Sequence, residues 1–331
     1  MPALNLQRLS QSASFRHFTH ELSDPEQFRE AVSGAQLRAD FLRPVEGMTH
    51  VEQFQSPEWA LDFYEAKVKA RLVGISPPGW GSIALMRNDV ASRWYGEPSR
   101  RGLLVFTPPG EAIDGCIVPG FSSIAVHVPP AIWERCRRIA SPEQRTARRV
   151  GTVRLLPGPC FERIERKLLA IRQQLSLDSR GGAADSSPAV SRLVTDLMTL
   201  AWECQEPCPG TGSRDKQGPR NRARLARRGE EWLRAHLHEP AAVPDLCLAL
   251  RVSRRELEYA FRQTFDQSPR EFLQVLRLNA IHRALRRTPP DRGLVTRIAL
   301  EFGVTHLGRF AGKYRALFGE SPGESASRAR R

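Results

Sequence analysis

Ser253 is followed by Arg254, Arg255, Glu258, Tyr259 and Arg262. About fifty residues later Thr305, His306, Arg309 and Lys313 repeat the arrangement. Guanidinium forks clamp phosphates and read guanine edges bidentately, so such sets point to a polyanion with readable edges. Nothing in the sequence offers comparable bond-making chemistry. An oxygenase built in a small barrel would need two or three His plus a carboxylate converging on a metal. The N-terminal half has only His50 and His127, with no His-x-His, while His17 and His20 stand before the expected start of the fold. Cys204 and Cys208 lie four apart, but no second pair faces them to complete a zinc site. Cys116, Cys136, Cys160 and Cys247 are scattered, as expected of thiols in a reducing compartment. His236 and His238 are two apart and would face opposite sides of a helix. No catalytic residue, metal or cofactor is therefore expected, and the chain is read as a non-enzyme.

Charge agrees with a polyanionic partner. The formal net charge is +14, and residues from 221 onward hold +10 of it. No apolar run approaches the roughly 18 residues of a membrane span. The first 20 residues lack acids and carry Arg8 and Arg16, a faint likeness to a transit peptide. Gln, Asn and Pro break any amphipathic face there, so a disordered terminus is expected.

The elements that must hold the basic sets form a degenerate repeat between Val243 and Pro322. Leu246, Leu250, Val252 and Ser253 match Ile298, Phe302, Val304 and Thr305 at an offset of 52, and Phe261, Phe265 and Pro269 match Tyr314, Phe318 and Pro322 at 53. Each unit reads as helix-turn-helix. In the first, Ser253 and Glu256 have capping-box spacing, and Leu257, Ala260, Phe261 and Phe265 form the stripe to be buried. The second has Gly303 in its turn, Thr305 as cap, and Phe310, Tyr314 and Phe318 as core, with Gly319 ending the helix. Ser268-Pro269-Arg270-Glu271 is another capping box and starts a long helix to about Arg287. At 1.5 Å per residue that rod spans roughly 28 Å and can hold two reading heads about one DNA turn apart. Arg255 is the best candidate for a guanine edge. Arg277, Arg283, Arg286 and Arg287 are expected as phosphate or surface groups.

The first half has strand period. Tyr64, Ala66, Val68, Ala70 and Leu72 alternate with charged residues, predicting one strand. Short apolar segments at Ser82–Met86, Leu103–Thr107 and Ser123–Val128 are separated by Pro/Gly turns and complete a small antiparallel barrel or sandwich. Asp24-Pro25-Glu26 opens a short helix. Trp59, Trp80, Trp94 and Tyr95 could line a ligand cavity in the barrel or simply fill its core. Two amphipathic helices follow. Phe161, Ile164, Leu168, Ile171 and Leu175 form the stripe of one, and Val190, Leu193, Val194, Leu197, Leu200, Ala201 and Cys204 that of the other. They could pack on the barrel or pair with a second subunit. Glu206–Arg222, with three Gly and three Pro, reads as a linker before a helix over 223–238.

The stretch from Ile298 to Pro322, with Glu301-Phe-Gly-Val304, Arg309-Phe310 and Phe318-Gly-Glu-Ser-Pro322, closely resembles the signature of the AraC/XylS family of bacterial transcription regulators. Ser253-Arg-Arg-Glu-Leu257, Phe261 and Arg277-Leu-Asn279 resemble that family's upstream half. The likeness covers about 100 residues. It departs at Val304, where an aromatic residue is usual, and at Arg251, where Gly is common, so Arg251 must tolerate an unusual turn backbone. The resemblance implies an N-terminal domain, often cupin-like, that senses a small molecule and dimerises.

The reading is then an α+β chain: a small antiparallel β-barrel (cupin-like) with a helix pair, and a C-terminal all-α tandem helix-turn-helix domain. Residues 1–158 form the effector-sensing barrel, 159–205 the helical pair, 206–222 the linker and 223–325 the DNA-binding domain. The expected function is a cytoplasmic, sequence-specific transcription activator at the bacterial nucleoid. Its expected partners are double-stranded DNA, RNA polymerase (implied by the resemblance), an effector and a second copy of the chain. DNA contacts are assigned to Ser253, Arg254, Arg255, Glu258, Tyr259, Arg262, Thr305, His306, Arg309 and Lys313. Alternatives are an architectural DNA-binding protein without an effector, and a barrel enzyme with an accessory DNA-binding domain.

Overall fold

A computed structural model describes residues 16–29, 36–76, 79–140, 152–181, 187–203, 206–207, 217–239 and 243–328. Its strands are β1 (Arg16–Leu22), β2 (Gln36–Phe41), β3 (Thr49–Gln55), β4 (Ala60–Glu65), β5 (Ala70–Ile75), β6 (Gly81–Met86), β7 (Arg93–Trp94) and β8 (Glu97–Pro98). They continue with β9 (Leu103–Thr107), β10 (Ala112–Ile117), β11 (Ser122–Val128), β12 (Thr152–Leu155) and β13 (Glu206–Pro207). One sheet has the order β1-β3-β4-β11-β6-β9-β12-β13 and the other β2-β5-β10-β7-β8, with antiparallel pairing in both. The two sheets do not join into one closed barrel.

Period-two alternation explains how the larger sheet buries two faces. Leu61, Phe63, Ile83, Leu85, Leu104, Phe106, Ile124 and Val126 point to one side and form a core with helices α1 (Pro130–Ala140), α2 (Gly158–Gly181) and α3 (Ser187–Glu203). The stripe expected on α2, Phe161 to Leu175, is buried there in full, as are Val194, Leu197 and Ala201 of α3. The other side faces the smaller sheet. The strand predicted from Tyr64 to Leu72 is in fact two, β4 and β5, in different sheets. The alternation runs through the turn because Ala66 and Val68 are buried there too, and periodicity alone cannot see a turn whose residues keep phase. His17 and His20 belong to β1, not to a tail, and the Asp24-Pro25 start yields only a 3-10 turn at Gln27–Arg29.

The C-terminal region is helical: α4 (Gln217–Ala235), α5 (Val243–Leu250), α6 (Arg254–Phe265), α7 (Pro269–Arg287), α8 (Leu294–Glu301), α9 (Leu307–Phe318) and α10 (Pro322–Arg328). The expected linker partly vanishes, since Glu206–Pro207 pairs with β12 and α4 begins before Arg222; 208–216 lie outside the described residues, as do the Gly/Ala/Ser loop at 182–186 and Cys204 and Cys208. Leu257, Ala260, Phe261 and Phe265 are buried as expected, as are Phe310, Tyr314 and Phe318. Ser268 and Glu271 form a complete capping box, whereas Ser253 forms only half of one, accepting from the Glu256 amide at 3.2 Å. Thr305 is not a cap. Position 306 occupies the cap of α9 with no side-chain bond, so this helix starts one residue late and less firmly held. Ser321 and Glu324 supply a further capping pair for α10, a helix that apolar periodicity does not mark.

Repeat positions share backbone conformations. Arg251 (φ 55°) occupies the left-handed region, as Gly303 does (φ 72°), and Asp266 (φ 58°) ends α6 as Gly319 (φ 75°) ends α9. The Asp266 carboxylate also accepts a 2.9 Å hydrogen bond from Lys69, in the turn that leads into β5.

That contact is one of many between the two halves. Asp40 of β2 is fully buried, with Arg283 Nη1 and Arg234 Nη2 each 2.6 Å from its carboxylate and Arg38 at 3.6 Å. Arg234 also holds Glu230, which holds Arg71 of β5. Arg71 in turn holds Asp114 of β10, and Asp114 holds Arg227. Beside this chain, Asn279 accepts from the Phe41 amide (2.9 Å) and donates to the Phe41 carbonyl (3.0 Å), imitating a strand partner for β2. Farther along α7, the His282 ring lies between Asp24 (3.2 Å) and the Tyr314 hydroxyl (2.8 Å); Tyr314 donates to Ser325, which donates to Glu320. Asp24, His282 and Glu320 could offer metal-ligand atoms within 4.8 Å of one another. Arg286 (3.7 Å from Asp24) and Arg328 (2.7 Å from Glu320) already supply the positive charge there.

Two outcomes test these constraints. Arg251→Gly should raise stability in urea unfolding by about 0.5–1 kcal/mol, because a side chain costs roughly 1–2 kcal/mol in the left-handed region and Gly gives back part of that as entropy. Asp40→Ala should cost about 3–5 kcal/mol at neutral pH by stranding buried guanidinium groups. Burial alone would raise the Asp40 pKa, but Arg234, Arg283 and Arg38 outweigh it and hold the carboxyl well below the usual range. A depressed folded pKa gives stability that is whole above the unfolded value of about 3.9 and is lost as pH falls toward the folded one. Wild type and Asp40→Ala should therefore converge in acid.

Candidate nucleic-acid interface and inner cavity

Two faces of α7 organise the C-terminal region. Arg270, Leu273, Gln274 and Arg277 form one stripe; Asn279, His282, Arg283 and Arg286 form another, each nine residues later. At 100° per residue nine residues amount to half a turn, so the stripes are opposed. The second stripe faces the N-terminal sheets through the contacts above. The first lines an open cleft of about 600 Å³ between the two helix-turn-helix units.

Arg254, Thr305, His306, Arg309 and Lys313 line this cleft, so five predicted contact residues from both units converge. All five are exposed, and Lys313 is steadied by a 2.9 Å bond to the Gln274 side chain. Arg270 joins them. In sequence Arg270 reads only as part of a capping box; the signal for it is its place right after Pro269, where a first-turn side chain stays outside. Because α6, α7 and α9 all begin at the cleft, their positive dipole ends add to the cationic lining, a setting suited to phosphate oxygens.

Arg255, Glu258, Tyr259 and Arg262 do not line the cleft but lie along α6. Arg255, Tyr259 and Arg262 are exposed and Glu258 is half-buried. Arg222 of α4 stacks its guanidinium on the Tyr259 ring at 4.8 Å and donates to Gln263, so α4 braces this face. Ser253 acts locally as the α6 cap.

Of the long-helix arginines, Arg283 and Arg286 are taken up by carboxylates of the N-terminal half, while Arg277 borders the cleft and Arg287 stays exposed. Arg277 donates to the Leu237 and Glu239 carbonyls (3.3 and 2.6 Å), closing the chain after α4. Arg283 and Arg286 are turned to Asp40 and Asp24, and Arg287 to Glu26 (3.1 Å). Helical periodicity puts Arg283, Arg286 and Arg287 on one side of α7 but cannot say that carboxylates over 200 residues away along the chain occupy that side.

The second site lies between the sheets. A cavity of about 100 Å³ is lined from the larger sheet by small or polar residues such as Ser82, Ala84, Ser123 and Ala125, and from the smaller by Leu37, Leu72 and Ile113. The room exists because those inner positions of β6 and β11 are small. Trp94 reaches the cavity by lying on Gly115, where a Cβ would come 2.7 Å from the ring. Of Trp59, Trp80, Trp94 and Tyr95, only Trp94 lines it. Trp59 donates to Ser191 at 3.1 Å in the helix-covered core, and Tyr95 donates to the Ala112 carbonyl at 2.8 Å, with burial raising its hydroxyl pKa to about 12. His127 pairs with Asp62 at 3.1 Å in the cavity wall, and His50 pairs with Glu21 elsewhere. Leu37, Leu72 and Ile113 are sequence neighbours of Arg38, Arg71 and Asp114, so one sheet carries cavity on one face and interdomain ion pairs on the other.

A helix-turn-helix domain model matches residues 246–328. The probable thc operon regulatory protein of Rhodococcus erythropolis is 34% identical over 100 residues, 30% of each chain. The XylDLEGF operon transcriptional activator 2 of Pseudomonas putida is 27% identical over 97 residues, 29% of this chain and 62% of that one. The alignment thus spans about a third of the first relative's length. A solved structure of a probable AraC family transcriptional regulator from Rhodopseudomonas palustris CGA009 is 34% identical, with 33% of this chain and 99% of that chain covered and a TM-score of 0.30. The helix-turn-helix model falls on the two repeated units, and the C-terminal region is similar to that of AraC/XylS-type transcription regulators.

Proposed function

We propose that this protein is a sequence-specific DNA-binding transcription activator controlled by a small molecule held between its N-terminal sheets. The observation that carries the reading is the opposition of the two α7 faces: the cationic cleft and exposed α6 face outward while the N-terminal sheets dock behind. DNA then has access to both units at once. Arg255, Glu258, Tyr259 and Arg262 read base edges, Ser253 sets the start of α6, and Arg254, Thr305, His306, Arg309 and Lys313 with Arg270 hold backbone phosphates. The first unit discriminates more and the second positions more, since the outward face of α6 is the richer in groups that can read edges.

Effector control is supported by the shared sheet. A ligand that shifts β2, β5 or β10 by a fraction of an ångström on the cavity side moves Arg38, Asp40, Arg71 and Asp114 on the other, because strand backbones translate both faces together. In this division residues 1–158 sense, 159–205 supply a dimer contact through α2 and α3, 206–222 connect and 223–325 bind DNA. RNA polymerase is the partner through which activation would act, and the cytoplasm is the compartment. Among the described residues no helix is long and apolar enough to cross a membrane.

Genome-wide mapping of bound sites followed by binding to the preferred site tests this. Arg255→Ala should alter preference at particular bases by about 1–3 kcal/mol, while Arg270→Ala should weaken binding on all sequences alike and reduce the salt slope by roughly 1. Footprints without a preferred site would favour an architectural protein instead.

A further inference from the structure

The inner cavity holds two unused hydrogen-bond donors. Tyr64 and Trp94 both line it, and neither the Tyr64 hydroxyl nor the Trp94 indole nitrogen has a partner although both atoms are buried. Tyr64 is 8% exposed. Buried donors are nearly always satisfied, so two such donors in one cavity wall point to an acceptor that is not part of the chain, a water in the empty cavity and a ligand group in the filled one. The indole N–H can only donate, and the hydroxyl supplies a second proton. Burial pushes the Tyr64 phenol well above its ordinary pKa, so that proton stays in place at any working pH.

Charge narrows the occupant. No Lys or Arg is among the residues lining the cavity, and its acid, Asp62, already engages His127. Arg71, beside the cavity residue Leu72, projects from the opposite face of the smaller sheet to Glu230 and Asp114. A carboxylate entering would meet Asp62 without a free cation to offset its lost hydration. Size narrows it again: about 100 Å³ is somewhat below the roughly 150 Å³ of an apolar cavity that takes benzene, which excludes anything larger than one ring.

We propose that the cavity between the sheets takes a small, uncharged, single-ring ligand bearing a hydrogen-bond acceptor, held jointly by Tyr64 and Trp94, and that it discriminates against carboxylates. The proposal rests on the reading of this cavity as the effector site and adds its ligand class.

Three probes of matched shape separate these contributions: acetophenone (neutral acceptor), α-methylstyrene (no acceptor) and benzoate (carboxylate). Titration calorimetry on the full chain at pH 8 should rank acetophenone at least about tenfold tighter than α-methylstyrene, the worth of two net hydrogen bonds. Benzoate should bind at least tenfold more weakly than acetophenone. Tyr64→Phe and Trp94→Phe should each reduce the acetophenone preference threefold or more while leaving α-methylstyrene within twofold. Unliganded Tyr64→Phe should melt at or above the wild-type Tm, since it loses a hydroxyl that bonds nothing in the chain. Equal or tighter binding of benzoate, or a preference unchanged by Tyr64→Phe, overturns the ligand class while leaving an effector site. A lower Tm for Tyr64→Phe also overturns the class, because the hydroxyl would then have an internal partner. Failure of all three probes to bind at millimolar concentration overturns both the class and the effector reading.

Discussion

Asp40 is the residue on which the arrangement of the two halves turns. It sits on the outer face of a strand, fully buried, and is held by guanidinium groups from its own strand, from α4 and from α7. A buried ion pair yields little net stability against an apolar substitute, but it is unforgiving of misplacement, since each charge left alone is costly. The alternation Arg283, Asp40, Arg234, Glu230, Arg71, Asp114, Arg227 passes back and forth between the halves. Such a chain has few acceptable registers. It therefore specifies one docking geometry more than it adds adhesion, while the Phe41–Phe318 contact (6.5 Å between centroids) and the buried Asn279 amide supply packing and shape.

The smaller sheet makes this geometry answerable to what lies inside the N-terminal half. In most sandwiches one face of each sheet is core and the other is wet. Here β2, β5 and β10 have no wet central face: Leu37, Leu72 and Ile113 meet the cavity, and Asp40, Arg71 and Asp114 meet α4 and α7. A sheet only one residue thick thus separates a ligand-sized space from the helices that carry both helix-turn-helix units. Lys69 bonding the C-cap Asp266 extends the same contact to the end of α6.

Much of the C-terminal region is legible along the chain. A repeat with matched apolar positions, Ser caps and left-handed turn sites is local information, and the buried stripe of α6 and the unusual backbone of Arg251 follow from it. Local signals mislead where two readings tie. Ala66 and Val68 keep strand phase through a turn, hiding the break between β4 and β5. Thr305 has the right chemistry for a cap, but His306 takes that place and α9 starts at Leu307. Arg283 and Arg286 have the composition of phosphate ligands and the position of interdomain anchors.

That a basic pair of helix-turn-helix units follows a β-rich half is written in the order of residues, because periodicity, capping and charge are properties of neighbours in the chain. Which basic side chains remain available to an anion, and which are consumed, is settled only by folding. That outcome depends on carboxylates such as Asp40 and Asp24, brought to α7 from far along the chain. Folding likewise places Tyr64 and Trp94, ordinary core aromatics in sequence, in one cavity with unpartnered donors. A hydrogen bond left unmade is a fact about surroundings, and no spacing of residues along the chain records it.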